Sequence, residues 1–302
     1  MIEVRVFRRS DRDQLAALVN AHVQAVVPGV SLSVNAVLGA LEREPGEFVV
    51  DPWVTARVTL VAEQRGRIVA AAHLVRYGDG PEVGGTYRDA AEIRWLLFWP
   101  DAAYWPDASA AAGPLMERCL QVCAGWRAAR WYADGTLPAP GVYGVPEQWP
   151  HVRDLYERAG FRPEGRREVV LLAEVDRLRT EDGGDGLAVH RTVGVNGTRL
   201  TARRDGREVG FVEVDTGLAE GGRFAHLAGW ADVGNLEADD DATATWLVGR
   251  AARWLRLARV ERLLDYALDD EHDRLRLLRG LGFEELTRTE RGWIRRREDE
   301  ER

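Results

Sequence analysis

Cys119 and Cys123 are the only cysteines in the chain, and their i, i+4 spacing would set both on one face of a helix. A thiolate pair for a metal and a pair of small core residues both fit that spacing. The apolar neighbours Leu115, Met116, Leu120 and Trp126 favour the core. The six histidines, at positions 22, 73, 151, 190, 226 and 272, show no spacing that would complete a metal site. No metal is expected. A second group with chemical potential is aromatic: Trp95, Phe98, Trp99, Tyr104 and Trp105 gather around the end of one apolar segment. Trp95 and Trp99 read as strand packing. Tyr104 and Trp105 are open to a rim role or to one as a platform for a cationic amine.

The elements that must hold these residues follow from composition and pattern. At 302 residues the chain is long enough for about two domains. Its formal net charge of −8 argues against a nucleic-acid partner, whose phosphates need clustered Lys and Arg. The basic run Arg295, Arg296 and Arg297 is followed at once by acidic residues 298–301 and reads as a solvated tail. No stretch approaches the ~20 apolar residues of a membrane span, and the segment from Met1 to Arg5 does not read as a signal peptide. A cytoplasmic location is expected.

Along the chain, residues 3–8 alternate as a strand, and residues 12–27 carry a helical stripe of Leu15, Leu18, Val19 and Val23. A second helix is expected over 34–43, with Ser33 as its cap. A hairpin over 59–64 and 68–77 turns at Arg65-Gly66. Then come a strand at 92–99, a helix at 108–127, a strand at 129–134, a helix at 151–159 and a strand at 167–175. The glycine-rich segment 182–186 reads as a linker between domains 1–180 and 187–302. Beyond it, strands are expected at 187–195, 198–203, 208–215, 224–231, 262–268 and 285–295, with helices at 242–257 and 271–281.

The chain repeats itself. Leu155-Tyr-Glu-Arg-Ala-Gly-Phe161 recurs as Leu277-Leu-Arg-Gly-Leu-Gly-Phe283, each closing an amphipathic helix through a glycine. Upstream, the segment starting at Asp107 matches one starting at Asp239, and a Pro- and Gly-rich loop at 137–150 absorbs the ten-residue difference in offset. The second copy lacks the two helices that open the first.

This element order, with the Gly160-Phe161 and Gly282-Phe283 endings, resembles the GNAT superfamily of acetyl-CoA-dependent N-acetyltransferases, in tandem and over nearly the whole chain. The resemblance implies an α/β fold of two units, each a mixed, mostly antiparallel sheet flanked by helices, with one parallel pair of strands that splay apart. It implies acetyl-CoA as co-substrate, its pantetheine arm paired with the backbone of Leu97, Phe98 and Trp99 in that gap. The pyrophosphate would sit at the amino end of the next helix, on Ser109, Ala110, Ala111, Ala112 and Gly113. The family's loop there carries an Arg or Gln. This chain has Asp107 and, in the second copy, Asp239, either of which could instead cap its helix.

The same resemblance assigns Tyr156 as the general acid that protonates the departing thiolate, a task a phenol of pKa about 10 can perform. Tyr156 also reads as a half-buried helix tyrosine. Leu278 stands in its place in the second copy, which is expected to be non-catalytic. Glu92, at the start of the central strand, is the candidate general base, with Asp101 and Tyr104 as others. The implied activity is N-acyl transfer from coenzyme A to a primary amine of a small molecule or peptide, by a monomer or homodimer. A pair of degenerate copies that binds a small molecule or protein without chemistry is the rival reading.

Overall fold

The computed structural model describes residues 1–42, 51–99, 108–137, 142–179, 184, 186–218 and 229–295. Two compact units emerge, Met1–Arg167 with Thr289–Arg302, and Glu168–Arg288.

In the first unit, β1 (Ile2–Val6) leads through a short turn to helices α1 (Arg12–Val26) and α2 (Val34–Glu42). The expected stripe is buried, with Leu15, Leu18, Val19 and Val23 at 1% exposure or less. Ser33 caps α2, its Oγ accepting from the Ala36 amide at 3.1 Å. Strands β2 (Val54–Gln64) and β3 (Arg67–Tyr77) form a hairpin whose turn residues, Arg65 and Gly66, both have positive φ, as a tight hairpin with right-handed twist requires. Then follow β4 (Ala90–Phe98), α3 (Ala108–Gly125), β5 (Arg130–Ala133), the short β6 (Val145–Pro146), α4 (Pro150–Arg158) and β7 (Arg162–Glu174). All nine residues of β4 are buried, which makes it the central strand. Cys119 and Cys123 lie on the buried side of α3 with Leu115 and Met116, as core residues.

The second half supplies β8 (Leu187–Gly194), β9 (Gly197–Arg204), β10 (Arg207–Asp215), β11 (Trp230–Ala238), α5 (Asp241–Leu257), β12 (Arg262–Leu268), α6 (His272–Leu281) and β13 (Glu284–Arg295). Of the strand expected at 224–231, residues 224–228 lie outside the described residues, and β11 runs from Trp230 to Ala238. Its sequence, WADVGNLEA, hides the pattern because Gly234 and Asn235 interrupt the apolar residues.

Each sheet is antiparallel except for one parallel pair: β4 with β5 in the first unit and β11 with β12 in the second. The strand order is β1-β2-β3-β4-β5-β13 in the first unit and β8-β9-β10-β11-β12-β7 in the second. The units therefore do not part at the glycine-rich linker as the division 1–180 and 187–302 expected. The antiparallel neighbour of β5 is β13, from the far end of the chain, and the antiparallel neighbour of β12 is β7, from before the linker. The two halves exchange their last strands. Val169, Leu171 and Ala173 of β7 accordingly belong to the core of the second unit, while Trp293 of β13 is fully buried in the first, its ring 5.9 Å from that of Tyr156.

This exchange makes residues near the C-terminus a stability determinant of the N-terminal unit. Trp293→Ala should destabilise the first unit by about 3–5 kcal/mol, the usual cost of emptying a buried aromatic site. A fragment of residues 1–180, which lacks β13, should show no cooperative urea transition. Native-like unfolding of that fragment would contradict the exchanged arrangement.

Candidate active site

The site begins with one surplus residue. His73 pairs with Trp95 across β3 and β4, and the next residue, Leu74, pairs with Ile93, so Arg94 is a bulge. A bulge bends its strand and sharpens the local twist. The parallel pairing of β4 with β5 correspondingly runs only from Ala90↔Arg130 to Ile93↔Ala133. Two more bonds follow, from Asp134 N to Ile93 O at 2.8 Å and from Thr136 N to Arg94 O at 3.0 Å. Beyond them the link between the two chain segments is a side chain. Tyr156, fully buried on α4, donates its hydroxyl to the Asp134 carbonyl at 2.8 Å and accepts from the Leu96 amide. The strands do splay, and the tyrosine hydroxyl stands in the vertex of the wedge.

Alternation along β4 decides which backbone groups face that wedge. Trp99 N donates to Val69 O at 3.3 Å, so Trp99, and with it Leu97, turns its amide and carbonyl toward β3. The residues that turn theirs to the other side are Leu96 and Phe98. Of the expected pantetheine contacts only Phe98 is thus placed to offer backbone. Leu97 and Trp99 are corrected to ladder residues, because the bulge at Arg94 resets the alternation.

On the other side of the strand pair lies a cavity of about 350 Å³ whose lining includes Glu92, Asp134, Tyr87, Tyr132 and Arg291. Glu92 is 4% exposed and accepts from the Tyr77 hydroxyl and from Arg94, the latter at 3.3 Å. Its charge is therefore neutralised on the spot. Asp134 is different. Burial, then the nearby charge of Glu92, raise its pKa to about 6 against the opposing pull of Arg94, Arg291 and the Gly135 amide. A carboxyl in that range can both hold and release a proton near neutrality. Tyr77 and Tyr156 are pushed well above 10, chiefly by burial, and stay protonated. The cavity wall is aromatic: the Tyr87 ring lies 4.9 Å from that of Tyr77 and 6.2 Å from that of Tyr132.

Glu92 and Tyr156, the two residues expected to be catalytic, are thus drawn to one place, Glu92 in the cavity wall and Tyr156 behind it on the Asp134 carbonyl. Asp134, Arg94, Tyr77 and Arg291 escaped the sequence reading. Asp134 had a usable signal, since it ends a recognised strand. Arg291 had none, because nothing in sequence places β13 beside β5. Asp101, Tyr104, Trp105 and Asp107 lie outside the described residues.

The start of α3 was the expected phosphate site. In the described part of α3, from Ala108 onward, Ser109 and Ala110 are exposed. Ala111, Ala112 and Gly113 fall one step further, inside the helical ladder, and Ala111 and Ala112 are buried. In the second unit the matching place is already filled. Asp240 caps α5, its carboxylate accepting from the Thr243 amide at 2.6 Å. Asp239 is one residue early and lies 3.8 Å from Arg207 instead. Leu278 is fully buried and offers no hydroxyl.

The upper wedge contains imidazoles. His22 Nδ1 lies 2.8 Å from the Leu18 carbonyl and its Nε2 lies 3.3 Å from His151 Nε2, while the Phe98 carbonyl also takes a hydrogen bond from the His22 ring. The His151 ring stands edge-on to Phe98 with centroids 4.6 Å apart.

The fold has counterparts among solved structures. A tandem GNAT protein from the clavulanic acid biosynthesis pathway superposes with a TM-score of 0.59 at 14% identity, over 97% of this chain and 98% of that one. The chain carries the GNAT fold twice. A GCN5-related N-acetyltransferase from Sphaerobacter thermophilus superposes with a TM-score of 0.58 at 13% identity, covering 97% and 94% of the two chains. The glucosamine N-acetyltransferase region of a fungal multi-domain GH3 β-N-acetylglucosaminidase gives 0.61 at 12% identity. That match spans 97% of this chain and 38% of the fungal protein. No family sequence model and no curated protein sequence matches the chain. Among the described residues of the tandem GNAT fold, no helix is long and apolar enough to cross a membrane.

Two buried imidazoles, His22 and His73, and the half-buried His151 give the N-terminal unit an acid sensitivity of definite sign. Burial holds His22 and His73 down at about 3 and His151 at about 4, each helped or opposed only weakly by neighbours. In the unfolded chain they titrate at about 6.5. As pH falls from 6.5 to about 4, the unfolded state takes up three protons that the folded state refuses, whereas Asp134 takes up one in the folded state only. The melting temperature should therefore fall across that window. His73→Phe, which keeps a ring against Trp95 and removes a buried Nε2 that has no hydrogen-bond partner, should make the fall shallower. A melting temperature that rises toward pH 4 would contradict the assignment.

Proposed function

We propose that the N-terminal GNAT unit transfers an acetyl or other acyl group from coenzyme A to a primary amine of a small molecule or peptide. The observation that carries this reading is the presence, beside one splayed strand pair, of a wedge with backbone donors and a cavity lined by two carboxyls, Glu92 and Asp134. Acetyl-CoA, when bound, supplies a thioester whose carbonyl carbon is the electrophile and whose sulfur is the leaving group. Ser109, Ala110 and the backbone of Leu96 and Phe98 are the groups suited to hold it, the first two as exposed residues of α3 and the others by strand-like pairing.

In the cavity, Glu92 and Asp134 hold the amine, and one of them accepts its proton. Asp134 is the member poised to do so, since its pKa of about 6 leaves it ionised but basic at neutral pH. Tyr156 retains its proton at Oη and stands at the boundary between wedge and cavity, where it can deliver that proton to a departing sulfur. To do so it must release the Asp134 carbonyl, and a carbonyl oxygen taking over the Leu96 amide would loosen it. The C-terminal unit, with a capped α5 and Leu278 in the tyrosine's place, serves as a structural partner whose exchanged strand completes the working sheet.

A second reading, binding without chemistry, draws support from the Leu96 amide being already engaged by Tyr156 and from the imidazoles against Phe98. Calorimetry with acetyl-CoA separates the two. Micromolar to submillimolar binding is expected for the transferase, and no heat at near-millimolar ligand would exclude it. Given binding, Tyr156→Phe should lower kcat by about 10²-fold with little change in affinity. The kcat/KM profile should rise through pH about 6 and lose that limb in Asp134→Asn. A profile unchanged in Asp134→Asn would return the base assignment to Glu92 alone, testable with Glu92→Gln.

A further inference from the structure

The wedge-facing edge of β4 is held at two points by side chains. Tyr156 takes the Leu96 amide, and His22 of α1 bonds the Phe98 carbonyl two residues further along. An extended ligand that pairs with this edge must displace both. His22 has more acceptors than protons. It is fully buried, and burial keeps its ring neutral, so it carries a single N–H. The Leu18 carbonyl lies 2.8 Å from Nδ1, which leaves Nε2 to reach Phe98, and the same Nε2 lies 3.3 Å from His151 Nε2. The ring is also boxed in. Trp149 donates from Nε1 to the His22 carbonyl at 3.1 Å with its ring edge-on to the imidazole, centroids 5.4 Å apart, and Phe98 holds His151 edge-on at 4.6 Å.

Each place for that proton leaves one cost. On Nε2 it satisfies Phe98 but sets the Nδ1 lone pair against the Leu18 carbonyl oxygen. On Nδ1 it satisfies Leu18 and lets Nε2 accept from His151, but it leaves the Phe98 carbonyl without that donor, a cost that an incoming N–H removes. The pantetheine arm of coenzyme A carries amide N–H groups of this kind. We propose that His22, with His151 behind it, is a positioning residue for the cofactor arm: in the free protein its proton is divided between the two ring nitrogens, and a ligand amide at the Phe98 carbonyl fixes it on Nδ1. The exchange removes one proton from Nε2 and adds one at Nδ1, with water as the carrier, so no charge is created in the buried wedge. This deepens the reading of the wedge as the coenzyme A site and rests on it.

The test reads the proton directly. In full-length protein made with isotope-labelled histidine, two-bond proton–nitrogen couplings in NMR spectra report which ring nitrogen of His22 is protonated, the signals being assigned by their loss in His22→Gln. Both tautomers should appear in the free protein. Saturating coenzyme A should leave only the form protonated on Nδ1, whereas ADP, which has the pyrophosphate and lacks the arm, should leave the mixture as it was. Calorimetry adds a sign. His151→Phe keeps a ring against Phe98 and removes the donor to Nε2, so coenzyme A should bind about threefold to tenfold more weakly. His22→Leu removes the competitor for the Phe98 carbonyl, so coenzyme A should bind more tightly by a similar factor, and if that variant does not fold the wild-type tautomers decide alone. A packing role for the pair would weaken binding in both variants. That result, a single tautomer that coenzyme A leaves unchanged, or a shift that ADP produces equally would overturn the proposal and leave the transferase reading in place. Coenzyme A that gives no heat would remove that reading and this proposal together.

Discussion

The working geometry of the N-terminal unit depends on the divergence of β4 from β5, and that divergence depends on a single surplus residue. Parallel strands of equal twist would continue their ladder to the strand ends. Arg94 prevents this by opposing two residues of β4 to one of β3, which turns the end of β4 away and leaves Leu96 and Phe98 with backbone groups facing a gap. The same residue stabilises what its displacement exposes. Its guanidinium lies on Glu92, so a carboxylate only 4% exposed is accompanied by a cation from its own strand. One position thus opens the wedge and neutralises the first acid of the cavity.

The electrostatics of the cavity follow from that neutralisation. With Glu92 paired to Arg94 and to the Tyr77 hydroxyl, its remaining influence is to make ionisation of Asp134 harder, in the same direction as burial. Asp134 is thereby raised to a pKa of about 6, where it can exchange a proton near neutrality. Tyr156 connects this chemistry to the wedge without belonging to the cavity lining. Its hydroxyl joins backbone atoms on either side of the divergence, so any group that enters the wedge acts on the residue next to the cavity carboxylate.

Much of this was legible in the chain, and the limits of legibility have physical causes. Helices α1, α2, α3, α5 and α6 show themselves through periodicity and caps, the β2–β3 hairpin through Arg65-Gly66, and the tandem design through Gly160-Phe161 and Gly282-Phe283. Glu92 and Tyr156 could be singled out because each lies at a recognisable point of a repeated unit. The contacts expected of Leu97 and Trp99 failed because a bulge shifts the backbone alternation by one, and a bulge leaves no mark on side-chain types. The reach of β11 to Ala238 was not expected because Gly234 and Asn235 break its alternation. Arg291 lay wholly out of reach, for its role depends on which sheet receives the last strand, and the apolar patterns of β7 and β13 suit either sheet.

The exchange of last strands also sets a timetable. During synthesis the N-terminal unit emerges with β5 in place but without the neighbour that covers it, and that neighbour is made more than a hundred residues later. The newborn half must wait, its strand edge open, through the production of more than a hundred further residues, a long-range closure of the kind that slows folding and invites aggregation. A chain broken off early would lose not its second half alone but the finish of its first.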